Sequence, residues 1–155
     1  MLVYDFLNSL KSNFEQINPQ KQIQEFYQTL LKRVNKKEAL CHFSQLLITP
    51  DRGLSLEVMY FDGFCICDYV FSKELVTHTI AKMKDVSSIR LEIGTGNTNN
   101  TQNDSNQNPE DSTTITVSFD INGVDDSLFY AGNKSKMDDI ISLYYTMLEV
   151  SDYGK

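Results

Sequence analysis

The stretch Leu54–Phe71, with the sequence LSLEVMYFDGFCICDYVF, decides the fold. Apolar residues recur at every second position on both sides of Asp62-Gly63, which is the pattern of a β-strand. An Asp-Gly pair between two such runs is typical of a two-residue hairpin turn. The sequence therefore predicts an antiparallel hairpin with strands over 54–61 and 64–71.

A two-residue turn would place Phe61 opposite Phe64 and Glu57 opposite Asp68. One face of this hairpin is then almost entirely apolar. The other face carries four large apolar side chains, which we call the hairpin patch: Met59, Phe61, Phe64 and Ile66. We expect the patch to be covered, first by the N-terminal helices, and otherwise by a second copy or a foreign partner.

Further strands are predicted on both sides of the hairpin, so that an antiparallel sheet of about six to seven strands spans residues 41–131. Residues 72–85 fit either a helix or a strand, and the β-branched run Val76–Ile80 favours the strand. Between two alternating stretches, residues 94–112 contain no apolar side chain, so we expect a disordered polar loop there.

Helical periodicity is found at the two ends of the chain. Apolar residues repeat at helical spacing over 3–17 and again from Pro19 to Val34, which predicts an N-terminal helical hairpin over 1–36. A C-terminal helix is predicted over 134–150 by the same criterion.

These elements predict a single α+β domain over 1–155, in which a bent antiparallel sheet or partly open barrel is closed by the last helix. If 72–85 is extended, the element order resembles that of pleckstrin-homology-like domains. If it is helical, the order resembles that of type III secretion chaperones. Both resemblances concern element order alone and imply no particular activity.

Charge and cysteine content limit the classes of partner. The chain has 155 residues and a net charge of −7, which argues against binding nucleic acid or anionic lipid surfaces. No run of apolar residues is long enough for membrane insertion. Three cysteines form no disulfide framework, which suits a reducing compartment, so we expect a cytoplasmic protein.

Few residues of the sequence suggest a catalytic or metal-binding site. Cys65 and Cys67 have the spacing of two zinc ligands, and Cys41, His42 and His78 are the remaining cysteine and histidine candidates. Their apolar neighbours favour core packing instead. The predicted Glu57–Asp68 pair could do acid–base work, although repelling carboxylates also occur at solvated sheet surfaces. No nucleophile or phosphate-loop motif occurs, so we predict no catalytic residues, no metal and no cofactor.

The preferred function is non-catalytic protein–protein interaction, as an adaptor, a chaperone-like protein or an inhibitor-like protein. The contact would be made through the hairpin patch, or by self-association through that patch or the helical hairpin. The alternative is a cup between sheet and helix that binds a small molecule or lipid. A metal-dependent enzyme is the third hypothesis.

Overall fold

The computed structural model describes residues 1–95, 113–123 and 128–151. The fold is α+β, and the chain divides into two compact units, Met1–Lys84 and Asp85–Lys155. The first unit has N-terminal helices followed by an antiparallel sheet. The second has a smaller antiparallel sheet followed by the C-terminal helix.

The helices of the first unit are α1 (Val3–Ser9), α2 (Lys11–Ile17) and α3 (Lys21–Val34). The helix predicted over 3–17 is therefore interrupted. Leu10 leaves helical geometry, with ψ near 6°, and its N–H donates to the Leu7 carbonyl at 3.1 Å, which tightens the last turn of α1. The predicted end of α2 is confirmed, because Asn18 takes the left-handed conformation and Pro19 follows.

The sheet of the first unit contains β1 (Cys41–Thr49), β2 (Gly53–Phe61), β3 (Cys65–Phe71) and β4 (Val76–Lys82) in that spatial order. All neighbouring strands are antiparallel. The ambiguous stretch 72–85 is thus mainly extended, and it ends in a short 3-10 helix over Met83–Asp85.

The register of the central hairpin differs from the prediction by two residues. Phe61 pairs with Ile66 rather than with Phe64. The carboxylate of Asp62 accepts hydrogen bonds from the N–H groups of Phe64 and Cys65, at 2.9 and 2.8 Å, and these bonds keep Phe64 in the loop. Because the offset is an even number, the side chains that remain in the two strands stay on their predicted faces of the sheet.

The helices cover the face opposite to the one we expected. Their apolar side chains form a single cluster with one face of the sheet, whose members include Leu56, Val58, Tyr60, Cys67, Tyr69 and Phe71. The hairpin patch lies on the other face, so the prediction that the helices cover it is wrong. Both faces are apolar, and alternation alone does not indicate which of them the helices pack against.

The second unit contains β5 (Val86–Gly94), β6 (Thr114–Ile121) and β7 (Leu128–Asn133), which form an antiparallel sheet in that order. A 3-10 turn over Lys134–Lys136 leads into α4 (Met137–Val150), which packs against all three strands. The described strands thus form two antiparallel sheets, of four and three strands, and the 3-10 helix after β4 lies between them in the chain. The loop predicted over 94–112 lies outside the described residues from 96 onward.

Candidate functional site

The hairpin patch is not a continuous surface. Met59, Phe61 and Ile66 are fully buried, whereas Phe64 has 79% of its surface exposed. The even offset in register leaves the first three on one face and moves Phe64 into the loop. Of the four predicted contact residues, only Phe64 is therefore accessible to a partner.

Phe64 stands on a loop that hydrogen bonds hold on both sides, and we call residues Asp62–Cys65 the Phe64 turn. In addition to the two bonds that Asp62 accepts, the Phe64 carbonyl accepts a bond of 2.7 Å from the N–H of Met83, just after β4. Gly63 has φ near 95°, a conformation that side chains other than glycine rarely adopt. The backbone that presents the phenyl ring is thus well ordered by local contacts.

Other groups surround the Phe64 turn. Leu40 is 51% exposed, and its Cδ1 lies 3.3 Å from the place where a side chain on Gly63 would begin. Lys37 is 3.9 Å from the Asp62 carboxylate, and Lys82 pairs with Cys65 across the sheet. An exposed aromatic ring, an aliphatic neighbour and two cations therefore meet at one end of the sheet.

The cysteines lie in or against the core. Cys65 and Cys67 are on the same face of β3, where Cys67 is buried and Cys65 is partly buried against the core cluster. Burial raises the pKa of the Cys67 thiol, partly opposed by a hydrogen bond with Tyr60. Cys41 lies on the opposite face of the sheet, and burial raises its pKa to about 12. Among residues 1–95, 113–123 and 128–151, no three His, Cys, Asp or Glu side chains are grouped to hold a metal ion.

The two histidines lie apart, on the outermost strands β1 and β4. The His42 ring is 4.4 Å from the Phe6 ring, and the His78 ring stacks on Tyr69 at 4.0 Å between centroids. Partial burial lowers the pKa of His78. The two imidazoles are therefore associated with separate aromatic contacts.

The predicted Glu57–Asp68 pair does not form. The observed register places Glu57 opposite Val70 and Asp68 opposite Met59. The Gln45 amide donates a 2.8 Å hydrogen bond to Glu57, and burial raises the pKa of this carboxyl group. The register correction thus removes the paired-carboxylate arrangement that suggested acid–base chemistry.

A cleft of about 540 Å³ lies between α2 and α3 and was not anticipated from the sequence. Its polar rim includes Lys11, Glu15, Lys21, Gln24, Gln28 and Lys32. In the sequence, the cleft corresponds to polar residues of α3 that are three, four or seven positions apart and therefore lie on one side of the helix. Such a stripe is ordinary on an exposed helix, and only the packing of α2 beside it makes a cleft.

Comparison with protein-family models, with curated proteins and with solved structures finds no match for this chain. In the part of the chain that the structure describes, no helix has the length and apolarity needed to span a membrane.

Proposed function

We propose that this chain is a non-catalytic protein-interaction module that binds its partner through the Phe64 turn. The exposed fraction of Phe64, 79%, is the observation that carries the proposal. Aromatic side chains that enter a pocket on a partner commonly supply a large share of binding energy.

The hydrogen bonds within the Phe64 turn strengthen the proposal that Phe64 is a binding residue. A side chain on a loop that is already ordered loses less conformational entropy on binding than one on a flexible loop. The hydrogen bonds from Phe64 and Cys65 to Asp62 supply this order. Since Lys82 lies beside the turn, where Lys37 is paired with the Asp62 carboxylate, we expect the partner to have an apolar pocket with a carboxylate at its rim.

A photo-crosslinking amino acid in place of Phe64, in the full chain and in its native cell, tests the proposal. Ile48 is the matched control, because it is 85% exposed and lies near the opposite end of the β1–β2 pair. We expect one protein to be captured from position 64 and not from position 48. With that protein purified, Phe64→Ala should weaken binding about tenfold or more.

Phe64→Ala should leave thermal unfolding unchanged, because the exposed ring contributes little to the core. Capture of the same proteins from positions 64 and 48, or equal affinity of wild type and Phe64→Ala, would contradict the proposal. We place the interaction in the cytoplasm, which is supported by three cysteines that form no disulfide.

A second candidate function is binding of a small polar molecule in the cleft between α2 and α3. The volume of about 540 Å³ falls in the range of ligand pockets. The alternative drawn from the sequence placed a ligand between sheet and helix, and this cleft lies between two helices instead. Native mass spectrometry of protein isolated from its own cell tests for a retained ligand, which Gln28→Trp should displace by filling the cleft.

A further inference from the structure

Strand β4 is an outer strand of its sheet, and no described strand pairs with its second edge. Among the described residues, β3 is the only strand that pairs with it. Its sequence, VTHTIAK, contains no proline and one charged residue, Lys82, which lies at the end of the strand. Proteins usually protect an edge strand with proline, with charged residues along the strand or with a covering segment, because exposed backbone N–H and C=O groups accept a further strand.

Apolar and aromatic groups are exposed beside this edge on the helix-bearing face. Ile80 of β4 is 56% exposed, and Phe26 of α3 is 40% exposed. The Phe26 ring lies 6.5 Å from that of Tyr69, on which His78 stacks. We call Phe26, His78 and Ile80 the edge patch. An open edge and an exposed patch at the same place indicate a docking surface.

We propose that β4 pairs with β4 of a second copy of this chain, antiparallel and with the two-fold axis at Thr79. The two four-stranded sheets then become one continuous sheet. In this register Thr79 lies opposite its own counterpart, and His78 lies opposite Ile80. A two-fold axis perpendicular to the sheet leaves the helix-bearing faces of both copies on the same side. The two edge patches therefore meet on that side of the sheet.

The charge and register of β4 permit a second copy as the occupant. Lys82 is the only charged residue of β4, and self-pairing places it opposite Val76. The two Lys82 side chains lie at opposite ends of the paired strands, about 20 Å apart at the usual rise per residue. No like charges therefore oppose each other, and a Thr–Thr pair at the axis is a favourable cross-strand contact.

The proposal rests on other observations than binding through the Phe64 turn, which lies beyond the Lys82 end of β4. Sedimentation of the full chain should show a dimer that dissociates on dilution. Thr79 is exposed, and Thr79→Lys or Thr79→Glu would each place like charges opposite each other at the axis. We expect each variant to dimerise at least about tenfold more weakly than wild type.

An equimolar mixture of the Thr79→Lys and Thr79→Glu chains should recover the dimer, because the opposed charges then attract. Thr29→Lys, at an exposed position of α3 on the cleft between α2 and α3, is the matched control and should dimerise like wild type. A wild-type chain that stays monomeric at high concentration, a Thr79→Lys chain that dimerises like wild type, or no recovery in the mixture would overturn the proposal.

Hydrogen exchange of the unsubstituted chain gives a second measurement that requires no variant. Amides of Val76–Lys82 should exchange more slowly as the protein concentration rises, since dimerisation would bury the open edge. Concentration-dependent protection at other strands instead, or none at β4, would also overturn the proposal.

Discussion

Burial raises the pKa of the Glu57 carboxyl group. Its pKa is raised because burial disfavours the charged form, while the Gln45 amide partly compensates. A raised pKa in the folded state means that ionisation of Glu57 lowers stability as the pH rises. Below its ordinary pKa of about 4.3 the cost disappears.

Glu57→Gln should therefore increase the free energy of unfolding at pH 7, because the amide can keep a hydrogen bond with Gln45 without a buried charge. The gain should shrink as the pH falls toward 4. Urea unfolding of both proteins across this pH range measures the difference. Glu74→Gln, in an exposed turn, is the control, and an equal gain there would contradict the explanation by burial.

The three cysteines should react with a thiol reagent at different rates. Cys65 is only partly buried, whereas Cys41 and Cys67 are buried and have raised thiol pKa values, which keep the thiolate population small. We expect labelling of the native protein at Cys65 first, with Cys41 and Cys67 reacting only on unfolding. Mass spectrometry of a labelling time course measures this order, and early reaction of Cys41 would contradict it.

At the scale of elements, Asp62 determines the loop between β2 and β3. Asp62→Ala removes both side-chain hydrogen bonds to the backbone, and we expect a loss of about 1–3 kcal/mol in the free energy of unfolding. Asp62→Asn keeps an acceptor oxygen and should lose less. Denaturant unfolding of the two variants gives the comparison, and equal losses would show that the carboxylate contributes through its charge.

The contact between β7 and α4 depends on Gly132. A side-chain carbon at this position would lie 2.7 Å from Cβ of Lys136 and 3.0 Å from Cδ1 of Ile140. Gly132→Ala should therefore destabilise the second unit by about 1–3 kcal/mol. Denaturant unfolding measures the loss, and a Gly132→Ala chain as stable as wild type would contradict the explanation by crowding.

The same elements show which features could be predicted. Alternation predicted the strands and the face of each side chain, and the even offset preserved those faces. The register was wrong because the pattern Asp62-Gly63 does not reveal that Asp62 holds Phe64 and Cys65 in the loop. The break at Leu10 was missed because apolar spacing continues through it.

At the scale of the whole molecule, charge is divided unevenly. Residues 1–84 carry ten Lys/Arg and nine Asp/Glu, whereas residues 85–155 carry four and twelve, for net charges of +1 and −8. Repulsion among the acidic groups opposes compaction of the second unit, especially at low salt. Its described core, of three strands and one helix, is also small.

A single domain over 1–155 was expected from the sequence, and we predict that the full chain unfolds in one cooperative transition. The fragment 85–155 is only part of that domain and has a small core. Expressed alone, it should therefore lack a cooperative transition. Calorimetry of the chain and circular dichroism of the fragment measure these properties. Two separate calorimetric transitions, or a stably folded fragment, would contradict the prediction.

The candidate site was only partly predictable. Phe64 was selected from the sequence as one of four residues of an apolar patch that needs cover, and its three companions are buried whereas Phe64 is exposed. Exposure depends on which elements pack on which face, and that information is not local. The edge patch joins α3 to β4, which are distant in sequence, so no motif could have indicated it.

Cys65 is adjacent to Phe64 in the chain, at the base of the ordered loop. A fluorescent dye attached through its sulfur would sit beside the proposed contact in a chain with no substitution. A partner that covers the ring should then slow the rotation of the dye and change its emission. The sequence thus carries its own attachment point for an optical measurement of binding affinity.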